Sequence, residues 1–305
     1  MADTASPTVA RRRVRLALRE ARERAELTQQ QVAEEMEWSH SKVIRIEKGD
    51  VTISPNDLKL LLGYLGIRDR AQVNDLLNWA RIARSRQHDN WWQEPEFSAL
   101  TEELRRFIEY EAVAVAARSF AIRYVSGPLQ TPEYAAALTG SFDDELSVER
   151  IQVVLKARHL RRQDLLSRLG ALKYYAVFDE SVFMRYIGGP KVFADQLREL
   201  LDLASKGLVH LRMLPFSLTD PIANNASFEL LSFSDEERDG STSNEVLYRE
   251  NGNIDELIED ATSTARHLKR FEQLWRVATN EADTIAYIGR HIKGLEAAVT
   301  DAEGS

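Results

Sequence analysis

A short segment near the N-terminus carries side chains that can form hydrogen bonds and ion pairs at the spacing of one helix face. Each residue of a helix turns by about 100°, which brings His40, Ser41 and Arg45 into one arc. Imidazole, hydroxyl and guanidinium groups can reach base edges in the major groove of DNA. The predicted base-reading residues are therefore His40, Ser41, Ile44 and Arg45, with Lys42 and Lys48 predicted to lie near phosphate.

The residues just before this segment carry the start signals of a helix. Thr28 and Gln31 have the spacing of a capping box, in which each side chain bonds to the backbone of the other residue. Leu27 before the cap and Val32 inside the helix form the matching hydrophobic staple. A first helix is therefore predicted to begin at Gln29.

A second helix is predicted to follow after a very short connection. Ser39 is a good N-cap, and Gly49 is a typical residue for the end of a helix. Val43 and Ile46 would then face away from the polar arc and pack on the domain. Two helices joined by about four residues are typical of a helix-turn-helix. The alternative is an ordinary amphipathic helix whose polar face is only solvated.

These residues together resemble the Xre, or Cro/repressor, class of helix-turn-helix domains, over roughly residues 11–67. The matching residues are Leu27, Thr28, Gln29, Val32, Ala33, Ser39, Val43, Arg45, Ile46, Glu47 and Gly49.

The resemblance assigns further roles by position. It implies that Gln29 contacts phosphate at the first helical place, where the helix N-terminus adds its own amides. It also implies that Arg22 and Glu47 form a buried ion pair that ties the first helix of the domain to the third. Glu37 stands at the turn position where the family usually has glycine.

Charge is divided unevenly along the 305 residues. The net charge is −8, yet residues 1–90 carry +3 (16 Lys and Arg against 13 Asp and Glu), and the remainder carries −11 (24 against 35). A basic N-terminal part can supply phosphate contacts, while an acidic remainder should stay off DNA.

Composition excludes several other classes of site. The chain has no cysteine, so it has no disulfide, thiolate zinc site or cysteine nucleophile, and this fits a reducing cytoplasm. No apolar run approaches the ~20 residues needed to span a bilayer, so no membrane association is predicted. We predict a cytoplasmic protein that is nucleoid-associated when bound to DNA.

The predicted fold is a mainly α N-terminal five-helix DNA-binding domain followed by an α+β C-terminal domain with a small sheet flanked by long helices. The predicted divisions are a mobile arm at 1–10, a helix-turn-helix domain at 11–67, a connector helix at 68–90, a C-terminal domain at 91–297 and a tail at 298–305. The adjacent Trp91 and Trp92 mark the boundary, and burial explains them better than a ligand site does.

The period of the apolar residues changes within the C-terminal domain. Residues 172–178, 208–214, 228–233 and 245–248 are predicted strands, and residues 98–118, 147–169, 190–205 and 254–295 are predicted helical. A strand, a helix and a strand in succession indicate a right-handed βαβ crossover. The last two strands, joined by the polar loop at 234–243, are predicted to form a hairpin.

This order of elements resembles the large C-terminal domain, of unassigned activity, of WhiJ-like regulators of actinobacteria. The segments that carry the resemblance are 91–92, 127–134, 178–181, 188–190 and 213–216. It implies a DNA-binding regulator, or an antitoxin-like protein encoded beside a small partner protein.

An enzyme fused to a DNA-binding module is the rival interpretation. Its candidate residues are Asp179 and Glu180, the six histidines and the turn at Gly188 and Gly189. The sequence has no nucleophile elbow, no P-loop, no dinucleotide fingerprint and no histidine pair at metal-binding spacing. We therefore predict no enzyme, no cofactor and no metal site.

The function predicted from the sequence is a sequence-specific DNA-binding transcriptional regulator of repressor type. We expect a homodimer on double-stranded DNA, whose C-terminal domain dimerises and binds a small partner protein or a small-molecule effector. The alternatives are an antitoxin-like regulator that neutralises a small partner protein and, third, the enzyme fused to a DNA-binding module.

Overall fold

The computed structural model describes residues 6–85, 90–140, 147–168, 170–223, 225–233, 244–251 and 254–303. The chain divides into two compact units, of which the first extends to Asn90 and the second begins at Trp91. Each unit has a hydrophobic core of its own. The first is helical and the second is α+β, which confirms the predicted fold class.

The described residues of the first unit form five helices, and side-chain caps explain where they begin. Thr28 and Gln31 form the predicted capping box, and Ser39 caps the next helix by accepting a hydrogen bond from the Lys42 amide. Gly49 ends that helix with a φ of 90°, a left-handed conformation that glycine adopts without strain. The helices are α1 (Pro7–Arg24), α2 (Gln29–Glu35), α3 (His40–Lys48), α4 (Pro55–Tyr64) and α5 (Arg70–Ala83).

Both ends of the first unit differ from the prediction. α1 begins at Pro7, capped by Ser6, so residues 7–10 belong to the helix and not to a mobile arm; residues 1–5 lie outside the described part. α5 is not a connector, because its Leu76 and Ala80 are buried in the same core as Leu18 of α1. Its apolar side packs on α1 and completes the domain.

The second unit contains six strands and six helices among its described residues. They are α6 (Glu102–Glu111), β1 (Ala116–Ala121), α7 (Pro132–Gly140), α8 (Val148–Arg168), β2 (Lys173–Asp179), α9 (Gly189–Ser205), β3 (Val209–Leu214), β4 (Phe228–Ser232), β5 (Glu245–Asn251), β6 (Ile254–Ile258), α10 (Ala261–Val277) and α11 (Glu281–Glu303). Short 3₁₀ turns are also present, among them Trp91–Gln93 before α6 and Gly127–Leu129 between β1 and α7.

All six strands form one mixed sheet in the order β3-β2-β1-β4-β5-β6. β1, β2 and β3 are parallel, whereas β4, β5 and β6 are antiparallel to their neighbours. The predicted strand-helix-strand connection is confirmed, because α9 joins the parallel strands β2 and β3, while its right-handed sense stays a prediction. The predicted hairpin is confirmed as β4 and β5, while its loop at 234–243 lies outside the described residues.

Three predictions for this unit were wrong. The helix predicted over 98–118 ends at Glu111, and residues 116–121 form β1, whose alanines gave no strand signal. The helix predicted over 254–295 is the edge strand β6 followed by the two helices α10 and α11. The tail predicted from 298 is helical to Glu303, because α11 continues through residues that include neither glycine nor proline after Gly294.

Helices cover both faces of the sheet. Side chains of α6, α8, α9 and α11 pack on one face, and α10 packs on the other through Phe271 and Leu274. Trp92 is buried against Phe97, and Trp91 donates a hydrogen bond from Nε1 to Asp164 at 2.8 Å. The two tryptophans therefore pack within the second unit, as burial predicted.

Candidate nucleic-acid interface

The connection between α2 and α3 is a tight turn of four residues, 36–39. Glu37 has a φ of 53°, in the left-handed region that favours glycine. The turn is held by the amide of Trp38, which donates to the Ala33 carbonyl at 2.8 Å. This backbone geometry explains why a glycine would suit the position that Glu37 occupies.

α3 is divided into a buried side and an exposed side. Val43 and Ile46 are buried in the core, and Glu47 is buried beside them. On the other side, His40, Ser41, Arg45 and Lys48 are exposed and Ile44 is half-buried.

The exposed polar side chains of α3 are also free of intramolecular contacts. None of His40, Ser41, Arg45 and Lys48 has a side-chain hydrogen bond or ion pair with another described residue. Two of these four side chains are permanently cationic. This face can therefore bind an anionic partner without first breaking an existing contact.

Two of the predicted phosphate contacts do have partners within the unit. Lys42 Nζ lies 3.7 Å from the centre of the Trp38 ring and 3.5 Å from Asp57 Oδ2. Gln29 Nε2 donates to Glu47 Oε2 at 2.8 Å. These contacts fix the positions of both side chains.

Glu47 lies at the centre of a polar network beneath α3. Arg22 of α1 donates from Nε to Glu47 Oε1 at 2.6 Å and from Nη2 to Glu47 Oε2 at 2.9 Å. Its Nη1 donates to the Leu27 carbonyl at 2.9 Å, just before α2. The hydrogen bond to Glu47 raises the pKa of Arg22 by more than burial lowers it. One guanidinium thus links α1, the start of α2 and α3.

Trp38 and Asp57 were not predicted from the sequence to contribute to this interface. Trp38 stands four residues before Lys42, a spacing that places two side chains on the same side of a helix start. That spacing could have indicated the cation–π contact. Asp57 belongs to α4, and its approach to Lys42 depends on how α4 packs against α3.

Two family models match this chain. One, described as a helix-turn-helix domain, matches residues 14–76, and it indicates a DNA-binding regulator. The other, described as a domain of unknown function (DUF5753), matches residues 104–290, which is more than half of the chain. The chain belongs to the DUF5753 family. No curated protein and no solved structure matches this DUF5753 protein.

The candidate catalytic residues of the DUF5753 domain have structural partners. Asp179 accepts a hydrogen bond from the Ser181 amide at 2.9 Å, and Glu180 accepts one from the Phe216 amide at 2.6 Å. Gly188 has a φ of 79°, and a Cβ there would lie 2.7 Å from the Val192 side chain. Position 188 therefore requires glycine for reasons of space, whereas Gly189 is favoured by its backbone conformation, with a φ of 85°.

The histidines of the DUF5753 protein are dispersed. His210 stacks on Tyr175, His267 Nδ1 lies 2.8 Å from the Ser263 carbonyl, and His159 is exposed on α8. His88 lies outside the described residues. Within the described part of the chain, His, Asp and Glu side chains nowhere gather in a group of three or more that could hold a metal ion. None of the described helices has both the length and the apolar composition that crossing a membrane requires.

Proposed function

We propose that this protein is a sequence-specific transcriptional regulator of the Xre, or Cro/repressor, type that inserts α3 into the major groove of DNA. The observation that carries the proposal is the free, exposed and cationic face of α3 opposite its buried Val43 and Ile46. In this orientation four residues face base edges. They are His40, Ser41, Ile44 and Arg45.

Phosphate binding in this proposal comes from residues around the base-reading face. Lys48 is exposed and unpaired at the end of α3 and can approach the DNA backbone directly. Lys42 and Gln29 act from fixed positions, because Trp38 and Glu47 hold them. The net charge of +3 on residues 1–90 favours this end of the chain for DNA.

Arg45→Ala tests the base-reading role. On a site selected from random duplexes, the variant should lose about 1–3 kcal/mol of binding free energy, because a bidentate contact to a base is lost. Its preference for the selected base at one position should relax. Fluorescence anisotropy with the selected duplex and with single-base variants measures both effects.

Lys48→Ala is the matched control on the same helix. A phosphate contact carries no sequence information, so this variant should bind every duplex more weakly to a similar extent. The slope of log affinity against log salt concentration should decrease in magnitude by about one. Unchanged affinity and selectivity for Arg45→Ala would show that α3 does not read bases in the proposed orientation.

The second unit serves in this proposal as the dimerisation and signal-receiving domain of a WhiJ-like regulator, without catalytic activity. Its net charge of −11 over residues 91–305 disfavours contact with DNA. Its separate core lets it respond to a partner protein or small effector independently of the first unit. A ligand or partner protein can change DNA affinity only if it binds one arrangement of the two subunits more tightly than another. The size of the change is limited by that difference in binding free energy.

A homodimer is the expected state of the full chain. One α3 reads only a few base pairs, so proteins of this type pair two half-sites about 34 Å apart. Light scattering of the purified chain should therefore give about twice the mass of one chain, and selected DNA sites should be pseudo-palindromic. A monomeric mass at micromolar concentration, together with asymmetric sites, would contradict dimerisation.

A further inference from the structure

The second unit encloses a cavity of about 760 Å³ between its sheet and α8. This volume lies within the usual range for sites that bind small molecules. The floor includes Ser119 and Ala121 of β1, and the roof includes Val154, Ala157 and Arg158 of α8. The cavity is therefore part of the folded core of this unit.

Small side chains explain why the cavity is open. Ser119 of β1 is in register with Glu229 of β4, which is in register with Tyr248 of β5, so the three side chains share one face of the sheet. Ser119 and Ala121 are too short to fill the space below α8. Along α8, lining residues recur at 150, 154, 157, 158 and 161, the spacing of one helix face.

Most charged groups on the walls already have partners. Arg161 is paired with Glu111 through two hydrogen bonds of 2.9 and 3.0 Å. Glu250 accepts a hydrogen bond from Tyr124 at 2.8 Å, and Asp255 accepts one from Tyr248 at 2.7 Å. Two further cations, Arg123 and Arg150, are exposed side chains that line the cavity.

Arg158 of the roof has no carboxylate within ion-pair distance among the described residues. Its one hydrogen bond to a described residue runs from Nη1 to Gln130 Oε1 at 2.9 Å, and Gln130 is itself fixed by a bond from Nε2 to the Val125 carbonyl. Burial lowers the pKa of Arg158, and the charge of Glu250 opposes this from a longer distance. Gln130 thus holds the guanidinium in place, and the other N–H groups of Arg158 have no hydrogen-bond partner among the described residues.

Glu229 of the floor has neither a hydrogen bond nor an ion pair with any described residue. Burial raises the pKa of this carboxyl to about 7, although the charge of Arg161 lowers it. The side chain is half-buried, so the carboxyl is accessible from the cavity, where a cation or a hydrogen-bond donor would stabilise its charged form. Among the described residues, the cavity thus has one arginine in its roof and one carboxyl in its floor that lack an ion-pair partner.

We propose that this cavity binds a small amphipathic zwitterion, of the class of an apolar amino acid or short peptide, with its anionic group on Arg158 and its ammonium group on Glu229. Among the described residues, an anion alone would leave Glu229 without a partner, and a cation alone would leave Arg158 without a carboxylate. The apolar part of the ligand lies against Leu104, Ile108 and Val154. This inference rests on the proposed function, in which the second unit receives a signal, and it names the chemical class of the ligand that carries the signal.

The test is calorimetric titration of the full chain at pH 7 with leucine, phenylalanine, tryptophan and dipeptides made from them. The tightest binder is then compared with its deaminated acid and its decarboxylated amine. Each single-charge analogue should bind about 10–100-fold more weakly, the loss typical of a charge-assisted hydrogen bond. Absence of binding by the whole panel, or equal binding of the three forms, would overturn the proposal.

Two variants that remove one charge each assign the two contacts. In Glu229→Gln the zwitterion should lose its advantage over the deaminated acid, and in Arg158→Gln its advantage over the amine. Lys156→Gln is the control, because Lys156 lies on the same helix but pairs with Glu96 outside the cavity. If a charge variant fails to fold, Val154→Trp should still fill the cavity and abolish binding. Binding that survives Val154→Trp unchanged places the ligand elsewhere.

Measurement of DNA affinity in the same samples separates this inference from the proposed function. DNA binding without any ligand binding would contradict the cavity proposal but not the proposed regulator. Ligand binding that changes as expected in both charge variants would support the site. If the protein then failed to bind DNA, only the regulatory proposal would be contradicted.

Discussion

Arg22→Ala is expected to destabilise the first unit by about 3–5 kcal/mol, because it leaves the Glu47 carboxylate buried without its cation. The side chains of Arg22 and Glu47 are only 12% and 8% exposed, and the pair is bidentate. Denaturant melts of a fragment of residues 1–90 measure the change, since the unit has its own core. The fluorescence of Trp38 and Trp79, which pack on that core, reports its unfolding.

The control is Arg19→Ala on the same helix. Arg19 pairs with Glu23 at 2.8 Å, but these side chains are 59% and 54% exposed, so the loss should stay below about 1 kcal/mol. The comparison of the two variants therefore separates the effect of burial on the free energy of unfolding from the effect of losing any ion pair. An effect of Arg22→Ala as small as that of Arg19→Ala would mean that water reaches the Glu47 carboxylate in solution.

Glu111→Ala should destabilise the second unit by about 3–5 kcal/mol, because the guanidinium of Arg161 would remain buried without its carboxylate. Both side chains are 10% exposed. Burial by itself lowers the pKa of Arg161, but the charge and hydrogen bonds of Glu111 reverse this and raise the pKa above its ordinary value. This reversal indicates that Glu111 is the main group that stabilises the charged form of Arg161.

Native-state hydrogen exchange of the full chain measures this loss, since peptides from β1 and β2 report the opening of the second unit alone. Glu96→Ala is the matched control. Its partner Lys156 is on α8, as Arg161 is, but this pair is exposed, so the exchange rates should change much less than in Glu111→Ala. Equal exchange rates in wild type and Glu111→Ala would contradict a structural role for the buried pair.

Helix boundaries in the first unit could be predicted because their signals are local. The caps at Thr28 and Ser39 and the left-handed Gly49 act within about four residues of the helix ends that they fix. The burial of Val43 and Ile46 and the exposure of Arg45 follow from the periodicity of α3 alone. α5 was misjudged, because a long helix gives no local sign of whether it leaves the domain or folds back on α1.

Strand β1 could not be predicted, since what makes residues 116–121 a strand lies far along the chain. Its register partners are Lys173 to Phe178 of β2 on one side and Phe228 to Ser232 of β4 on the other. Its alanines fit a strand buried between helices but give no β-signal by themselves. β6 was missed for a different reason, because its apolar residues Ile254, Leu257 and Ile258 recur at helical spacing, and only the pairing with β5 makes the segment a strand.

The division into a basic and an acidic part, the capped helices around α3 and the exposed side of α3 could all be predicted from the sequence. Each depends on charge content, capping residues or the periodicity of neighbouring residues. Only the tertiary structure decided which charges are paired. Arg158 and Arg161 look alike on α8, yet Glu111 from α6 pairs with one of them and Gln130 meets the other. The position of Glu229 opposite α8 was decided in the same way. The physical reason is that sheet register and helix packing bring these groups together from distant parts of the chain, while no local interaction records where they will meet.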